Sequence, residues 1–252
     1  MYKQILKTLI RWIIIAEALF NSAWAGPPFV TDDPEPVAYG HWEVNYSMSK
    51  TWRLGRTSAV LPGVDMNYGF LPDVQLHMQP NFSYEKRNAG TVSALDDTEV
   101  GVKYRFLNLD QGDSTLIAGI YPLFMLPTGN TRLGPSRGHG QSFLPVWLQR
   151  NSGKWTVYGG TGYRINPGAG YKDSVYVGGT ALYQFTPSLE LGMELFHETP
   201  SAVGGLGTAG FNLGGNYSLA QDYGLLFSVG KGVSNVSATN QYSAYTGLKV
   251  FY

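Results

Sequence analysis

Apolar and polar side chains alternate with a period of two through most of the chain from residue 41 to its last residue. In residues 41–48, Trp42 and Tyr46 share one face, and Glu43 and Asn45 share the other. Successive side chains of a β-strand point to opposite faces of a sheet, so this period is that of a strand. We count about twelve such segments, and no stretch after residue 25 has a convincing helical period. The sequence therefore predicts an all-β fold.

The predicted strands suit a membrane better than a soluble domain. Most run for roughly 9–13 residues, whereas soluble strands average ~5–6 and a strand crossing a bilayer at a tilt needs ~9–11. Short connections are predicted at residues 71–72, 151–153, 186–188 and 220–222. Longer loops alternate with them, at residues 86–97, 128–141, 166–173, 198–207 and 232–240. Because short turns on one side and long loops on the other are typical of outer-membrane barrels, we predict a transmembrane antiparallel β-barrel of about 12 strands over residues 41–252.

The last strand ends the chain on an aromatic residue, Tyr252. An open sheet edge does not persist in lipid, so this strand is predicted to pair with the first and close the barrel. Glu43 and Lys249 are then expected to face each other across the seam. A terminal aromatic strand also resembles the signal read by the barrel assembly machinery, which is an expected partner. Aromatic residues at one end of the strands predict an interfacial girdle, formed by Trp42, Phe70, Phe106, Trp155, Phe185, Tyr217, Tyr223 and Tyr252.

The start of the chain has the organisation of an export signal. Lys3, Lys7 and Arg11 precede an apolar stretch from residue 12 to residue 20. An A-x-A pattern follows at residues 23–25. This arrangement predicts a secretory signal peptide over residues 1–25 and a location in the bacterial outer membrane.

Residues 26–40 are rich in proline and acidic residues, so no regular element is predicted there. Two interpretations remain for this N-terminal segment. Asp32, Asp33 and Glu35 either belong to a solvated periplasmic tail or enter the barrel and find cationic partners inside it.

Composition limits the other functional classes. The formal net charge is zero and no basic cluster occurs, which argues against nucleic acid as a partner. The chain has no cysteine, so disulfides and thiolate chemistry are excluded. The four histidines have no metal-ligand spacing, and the G-x-S-x-G match at residues 134–138 lies in a polar loop instead of between a strand and a helix. We therefore predict no catalytic residues, no metal, no cofactor and no enzymatic activity.

Charged residues on the polar strand faces are the candidate pore residues. A Lys or Arg at the midplane of the lipid face would cost about 2–4 kcal/mol, so these side chains are expected to point inward. His77, Lys103 and Arg105 would form a basic wall, with Glu190 and Glu194 on an acidic wall opposite. The alternative is that such charges form ion pairs that brace the barrel. The predicted lumen residues are Glu43, His77, Glu99, Lys103, Arg105, Arg164, Glu190, Glu194 and Lys249.

Two further features of the strands affect this interpretation. Inward-facing glycines such as Gly160, Gly162 and Gly178 are expected either to leave space in a narrow pore or to allow the strands to coil. Prolines within the predicted strands each remove a ladder hydrogen bond, so bulges or strand ends are expected at these positions: Pro62, Pro80, Pro122 and Pro145.

Several stretches together resemble the outer-membrane family labelled "MetA-pathway of phenol degradation": FVTDDPEPVAYGHWEVNYS, NYGFLPDVQLHMQPNFSYE, TEVGVKYRF, LPTGNTRLG and WTVYGGTGYRINPG. The resemblance implies a transporter that takes up aromatic compounds. Together with the barrel, it favours a passive channel for small molecules, of which aromatic compounds are the class that the resemblance implies, with outer-membrane lipid and a small solute as partners. Two alternatives remain: a structural or adhesive barrel without an open pore, and an outer-membrane lipid hydrolase.

Overall fold

The structure is a computed structural model that describes residues 27–88, 90–131, 136 and 138–252. The predicted signal peptide, residues 1–25, lies outside the described residues. Within the described ranges, no helix is both long enough and apolar enough to cross a membrane.

The described residues form fifteen strand segments and one short helix. Their bounds are β1 Trp42–Arg53, β2 Arg56–Leu71, β3 Val74–Gln79, β4 Asn81–Arg87, β5 Gly90–Leu95, β6 Thr98–Asp110, β7 Ser114–Ile120, β8 Leu123–Leu126, β9 Gln141–Ser152, β10 Trp155–Ile165, β11 Ser174–Thr186, β12 Leu189–Glu198, β13 Thr208–Ala220, β14 Tyr223–Ser234, α1 Val236–Thr239 and β15 Tyr242–Phe251. Three strands are each broken into two segments, namely β3 with β4, β5 with β6 and β7 with β8. Twelve antiparallel strands result, as predicted.

The ring closes between β1 and β15, which confirms the predicted seam. β1 pairs with β2 on one side and with β15 on the other. The backbones of Trp42 and Tyr252 exchange two hydrogen bonds of 3.0 Å at its periplasmic end. Lys249 lies opposite Asn45 in the register, and its Nζ reaches diagonally to Glu43 Oε2 at 3.1 Å. The two charges predicted to face each other therefore form an ion pair inside the barrel.

The two faces of the wall differ as the period of two predicts. In β9, Leu144, Val146 and Leu148 are exposed on the outside, whereas Trp147 and Gln149 are buried on the inside. All eight predicted girdle residues are exposed on the outer face, from Trp42 to Tyr252. Because an exposed apolar belt with aromatic ends is stable in lipid and not in water, the barrel is an outer-membrane barrel.

Proline explains where the ladder is irregular. The register of β2 shifts between Val60 and Gly63, on either side of Pro62, and Pro80 separates β3 from β4. Pro145 stays within β9, where its carbonyl accepts a 3.3 Å hydrogen bond from Tyr121 N–H. In an antiparallel ladder the N–H and C=O of one residue point to the same neighbouring strand. The N–H that Pro145 lacks would therefore also point toward the gap between β7 and β8, where Pro122 lies. The two prolines therefore share one gap in the ladder.

One predicted loop is wrong. Residues 86–97 were expected to connect two strands as a loop, but β4 and β5 extend the barrel wall there and pair as a hairpin from Phe82↔Leu95 to Arg87↔Gly90. The physical reason lies in residues 91–95, where Leu95 is exposed on the outside and Ala94 is buried on the inside. This is the alternation of a strand, although it is short and polar.

Candidate functional site

The described part of the N-terminal segment is residues 27–40, and we name it the lumen segment. Residues 27–37 lie inside the barrel, and residues 38–40 are exposed and lead to β1. Thr31 and Asp33 are fully buried. Hydrogen bonds fix the segment to the wall along its length: Val37 N–H donates to Gln75 Oε1 (2.9 Å), Gln149 Nε2 donates to Glu35 Oε2 (2.8 Å) and Ser228 Oγ donates to Pro28 O (2.7 Å). A freely solvated tail is inconsistent with this burial.

Lys103 holds the acidic part of the lumen segment. Its Nζ lies 3.0 Å from Asp32 Oδ1 and 3.6 Å from Asp33 Oδ2, and it donates to the backbone carbonyl of Glu35 at 3.4 Å. The same ammonium group lies 4.9 Å from the centre of the Tyr121 ring. Lys103 and Asp33 are both buried, and a buried charge is costly unless it is paired. The burial of each charge, on Lys103 and on Asp33, therefore depends on the presence of the other.

Glu194 holds the preceding residues from another side of the barrel. It is fully buried and accepts hydrogen bonds from the backbone N–H groups of Val30, at 3.0 Å, and of Thr31. Asn212 Nδ2 and the Tyr176 hydroxyl also donate to this carboxylate, the latter at 3.4 Å. All four donors named here are neutral, so the charge is stabilised by hydrogen bonding instead of by an opposite charge.

The predicted basic and acidic walls therefore do not face each other across open water. Lys103 binds one part of the lumen segment and Glu194 binds the adjacent part, so the segment lies between the two walls. Glu190, the other residue of the acidic wall, accepts a 2.8 Å hydrogen bond from Asn216 Nδ2. Alternation along a strand shows that these side chains point inward but carries no information about a segment that crosses the lumen.

The remaining predicted residues form local pairs. His77 Nδ1 lies 3.1 Å from Asp65 Oδ1, and its Nε2 lies 3.4 Å from Glu99 Oε1. Arg105 reaches the periplasmic turn, where its Nη2 lies 2.8 Å from Asp73 Oδ1. These ion pairs link neighbouring parts of the barrel wall, and the same side chains make the lumen surface polar.

Arg164 pairs with a carboxylate at the other end of the barrel, near the long loops. Its Nε lies 3.2 Å from Glu198 Oε1, and its guanidinium lies 4.6 Å from the centre of the Phe143 ring. The Arg164 guanidinium is therefore paired with a carboxylate and also contacts an aromatic ring.

The inward glycines do not leave open space, contrary to expectation. A Cβ at Gly178 would lie 2.2 Å from Thr31 Oγ1, and one at Gly162 would lie 2.3 Å from a ring carbon of Phe143. The space is thus occupied by the lumen segment and by aromatic side chains. These groups can pack this closely against the backbone only because glycine has no side chain.

An aromatic cluster on the lumen face was not predicted. Tyr121, Phe143, Trp147 and Tyr176 are buried together, with ring centroids 6.1 to 6.4 Å apart among the last three. The alternation contains the signal, because Phe143 and Trp147 share the face of the polar residue Gln149. Aromatic residues in an otherwise polar face indicate a specific lumen environment.

A cavity of about 220 Å³ lies between the lumen segment and this cluster. Its aromatic side is formed by Phe29, Tyr121, Phe143 and Trp147, and its polar side includes His77 and Arg164. Among the described residues, the buried indole N–H of Trp147 has no hydrogen-bond partner. No group of three or more His, Cys, Asp or Glu side chains in the described ranges is arranged to hold a metal ion. The cavity therefore has one aromatic side and one side of charged and amide side chains, among them Asp32, Asp65 and Glu99.

A closed twelve-stranded barrel with an apolar belt and a lined lumen has the architecture of outer-membrane channels. The chain is similar to the crystal structure of the COG4313 outer membrane channel from Pseudomonas putida F1, with a TM-score of 0.65 and 18% identity over 87% of this chain and 98% of that one. This similarity establishes the fold. KdgM porin is more distant, with a TM-score of 0.45 and 12% identity over 82% of this chain and 98% of that one.

Sequence comparison adds no relative. No family model matches the chain. No curated protein sequence matches it either.

Proposed function

We propose that the barrel is a passive outer-membrane channel for small molecules, that the lumen segment narrows its pore, and that aromatic compounds are its solutes. The observation that carries the proposal is the cavity between the lumen segment and the aromatic cluster. In this proposal the charged lumen residues, among them His77, Glu99 and Arg164, line the pathway beside the segment.

The dimensions and chemistry of the cavity support a solute with one ring. Its volume is about 220 Å³, and an apolar cavity of about 150 Å³ is enough to hold benzene. The edge-to-face arrangement of Phe143 and Trp147 suits a further aromatic ring. The resemblance to a phenol-degradation family agrees with this solute class, and the fold similarity to an outer membrane channel supports the passage of a solute.

Single-channel recording in planar bilayers tests the pore. Deleting residues 26–36 removes the part of the segment held by Lys103 and Glu194, so conductance should rise several-fold while the barrel remains folded. Unchanged conductance of a folded deletion variant would show that the segment does not narrow the pore. A structural or adhesive barrel without a pore would conduct in neither form.

Solute flux into proteoliposomes tests the aromatic class. Phenol should enter faster than a sugar through the wild-type barrel, and Trp147→Leu should reduce that preference. Trp155→Leu is the matched control, because Trp155 is exposed on the outer face. Equal effects of the two substitutions would contradict a role for the cavity.

The hydrolase alternative has less support from the geometry. His77 lies in the lumen with Asp65 and Glu99, whereas outer-membrane lipid lies outside. His197 is exposed on the outer face, where its register neighbours are Val177 and Ala209 instead of a serine. Hydrolysis of phospholipid in detergent micelles by the purified barrel would overturn this assignment.

A further inference from the structure

One row of outward-facing residues crosses five adjacent strands at the long-loop end of the barrel. Trp52 of β1 lies opposite Tyr242 of β15 on one side and opposite Thr57 of β2 on the other. Thr57 in turn lies opposite Lys86 of β4. Lys231 of β14 continues the row, with its Nζ 5.9 Å from the centre of the Tyr242 ring. The row therefore has a lysine at each end and two aromatic residues between them.

A third lysine joins this row. Lys50 precedes Trp52 by two residues on the same face of β1, and its Nζ lies 4.7 Å from the centre of the Trp52 ring. Lys50, Lys86 and Lys231 are all exposed. The two contacts with aromatic rings leave the ammonium groups at the surface, because a cation above a ring keeps its outer side free for an anion.

No carboxylate balances these charges on the outer surface of the five strands. β1, β2 and β4 each carry one acidic residue, and β14 and β15 carry none. All three acids face the lumen: Glu43 binds Lys249, Asp65 is buried beside His77, and Glu85 is buried beside Arg56. The outer surface of this sector is therefore positively charged.

The height of the row places it at the outer interface of the membrane. Trp42, in the periplasmic girdle, and Trp52 are ten residues apart on β1. At ~3.3 Å per residue and a tilt of 35–45°, this separation spans about 25 Å, which is the height of the apolar band of such barrels. Because the periplasmic end is fixed by the short turns, Trp52 and its neighbours lie where the headgroups of the outer leaflet begin.

We propose that Lys50, Lys86 and Lys231 form a binding site on the outer wall for the phosphate groups of lipid A, the phosphorylated glycolipid of the outer leaflet. Lysine ammonium groups bind phosphate as point charges. Trp52 and Tyr242 contact the adjoining sugar and the first part of the acyl chains, since their amphipathic rings favour this depth. The site is independent of the pore and of the solute.

Native mass spectrometry of the complete mature chain in non-ionic detergent tests the site, with bisphosphorylated lipid A as the probe. Each lysine near an anionic surface strengthens binding about five-fold, so the triple variant Lys50→Gln, Lys86→Gln, Lys231→Gln should bind about 100-fold more weakly. Each single substitution should weaken binding about five-fold, which provides the measurement if the triple variant does not fold. Lipid A without phosphate should bind wild type as weakly as the triple variant binds lipid A.

The double variant Arg150→Gln, Lys154→Gln is the matched control. Both cations are exposed at the periplasmic end of β9 and β10, and their removal should change lipid A binding less than two-fold. Equal binding by wild type and the triple variant would overturn the proposal. So would equally tight binding of phosphatidylglycerol or of phosphate-free lipid A, because either result would mean that the row does not recognise the phosphorylated glycolipid.

Discussion

The two sides of the lumen that hold the N-terminal segment use different kinds of interaction. On one side, Lys103 meets the carboxylates of Asp32 and Asp33 at 3.0 and 3.6 Å. On the other side, Glu194 accepts hydrogen bonds from the backbone N–H groups of Val30 and Thr31. The first contact depends on which side chains the segment carries, whereas the second depends only on the path of its backbone.

This difference determines what happens when either contact is removed. Loss of Lys103 leaves two carboxylates in a buried environment without their cation, and one of them, Asp33, is fully buried. Breaking a buried ion pair by removing one partner typically costs 3–5 kcal/mol. Loss of the charge on Glu194 leaves neutral N–H donors, whose unmet hydrogen bonds cost about 1–3 kcal/mol. The basic side should therefore dominate retention of the segment.

A single cysteine can report on retention, because the chain has none of its own. Thr31 is fully buried between the two sides, so Thr31→Cys should react with a small maleimide only when the segment leaves its site. Every variant described below also carries Thr31→Cys. A tenfold change in labelling rate corresponds to about 1.4 kcal/mol in the free energy that retains the segment.

The largest effect is expected for Lys103→Met. The isolated carboxylates should drive the lumen segment out of the barrel, and labelling of Thr31→Cys should accelerate at least ~100-fold. Channel conductance should rise in the same variant. Labelling at the wild-type rate would show that the ion pairs do not retain the segment.

A compensating variant separates charge from packing. In Lys103→Met combined with Asp32→Asn and Asp33→Asn, the ammonium group and both of its carboxylate partners are removed together, so labelling should slow again by at least tenfold relative to Lys103→Met alone. Arg56→Gln is the matched single control, because Arg56 pairs with Glu85 of the barrel wall. Its labelling rate should remain close to that of the parent.

The sequence predicts some of the contacts inside the barrel and carries no signal for others. Period-two alternation predicted the direction of Lys103 and Glu194, and the alternating terminal strand predicted the closure that brings Glu43 to Lys249. It could not predict that Glu194 receives backbone donors from a segment 163 residues earlier in the chain, since that contact has no side-chain signature. For the same reason the sequence predicts open space beside Gly178, where the structure places Thr31.

An intermediate effect is expected for Glu194→Gln. Glutamine keeps one carbonyl acceptor for the N–H groups of Val30 and Thr31, but it loses the charge and presents an amide group to Asn212. Labelling should accelerate about tenfold, less than in Lys103→Met, because charged acceptors strengthen a hydrogen bond by roughly 1 kcal/mol or more. Glu190→Gln is the control on the same strand, since Glu190 binds Asn216. A larger effect for Glu194→Gln than for Lys103→Met would reverse the proposed order of the two sides.

The smallest effect is expected for Ser228→Ala, which removes one neutral hydrogen bond on the Glu194 side of the lumen. Ser228 Oγ donates to Pro28 O at 2.7 Å, three residues before Thr31. A neutral hydrogen bond contributes about 0.5–1.5 kcal/mol, so labelling should accelerate about two- to tenfold. Ser218→Ala, in the neighbouring strand β13 and nearer the periplasmic end, is the control and should leave the rate unchanged. An effect of Ser228→Ala as large as that of Lys103→Met would mean that backbone contacts, and not charge, retain the segment, and the contrast between the two sides of the lumen would be lost.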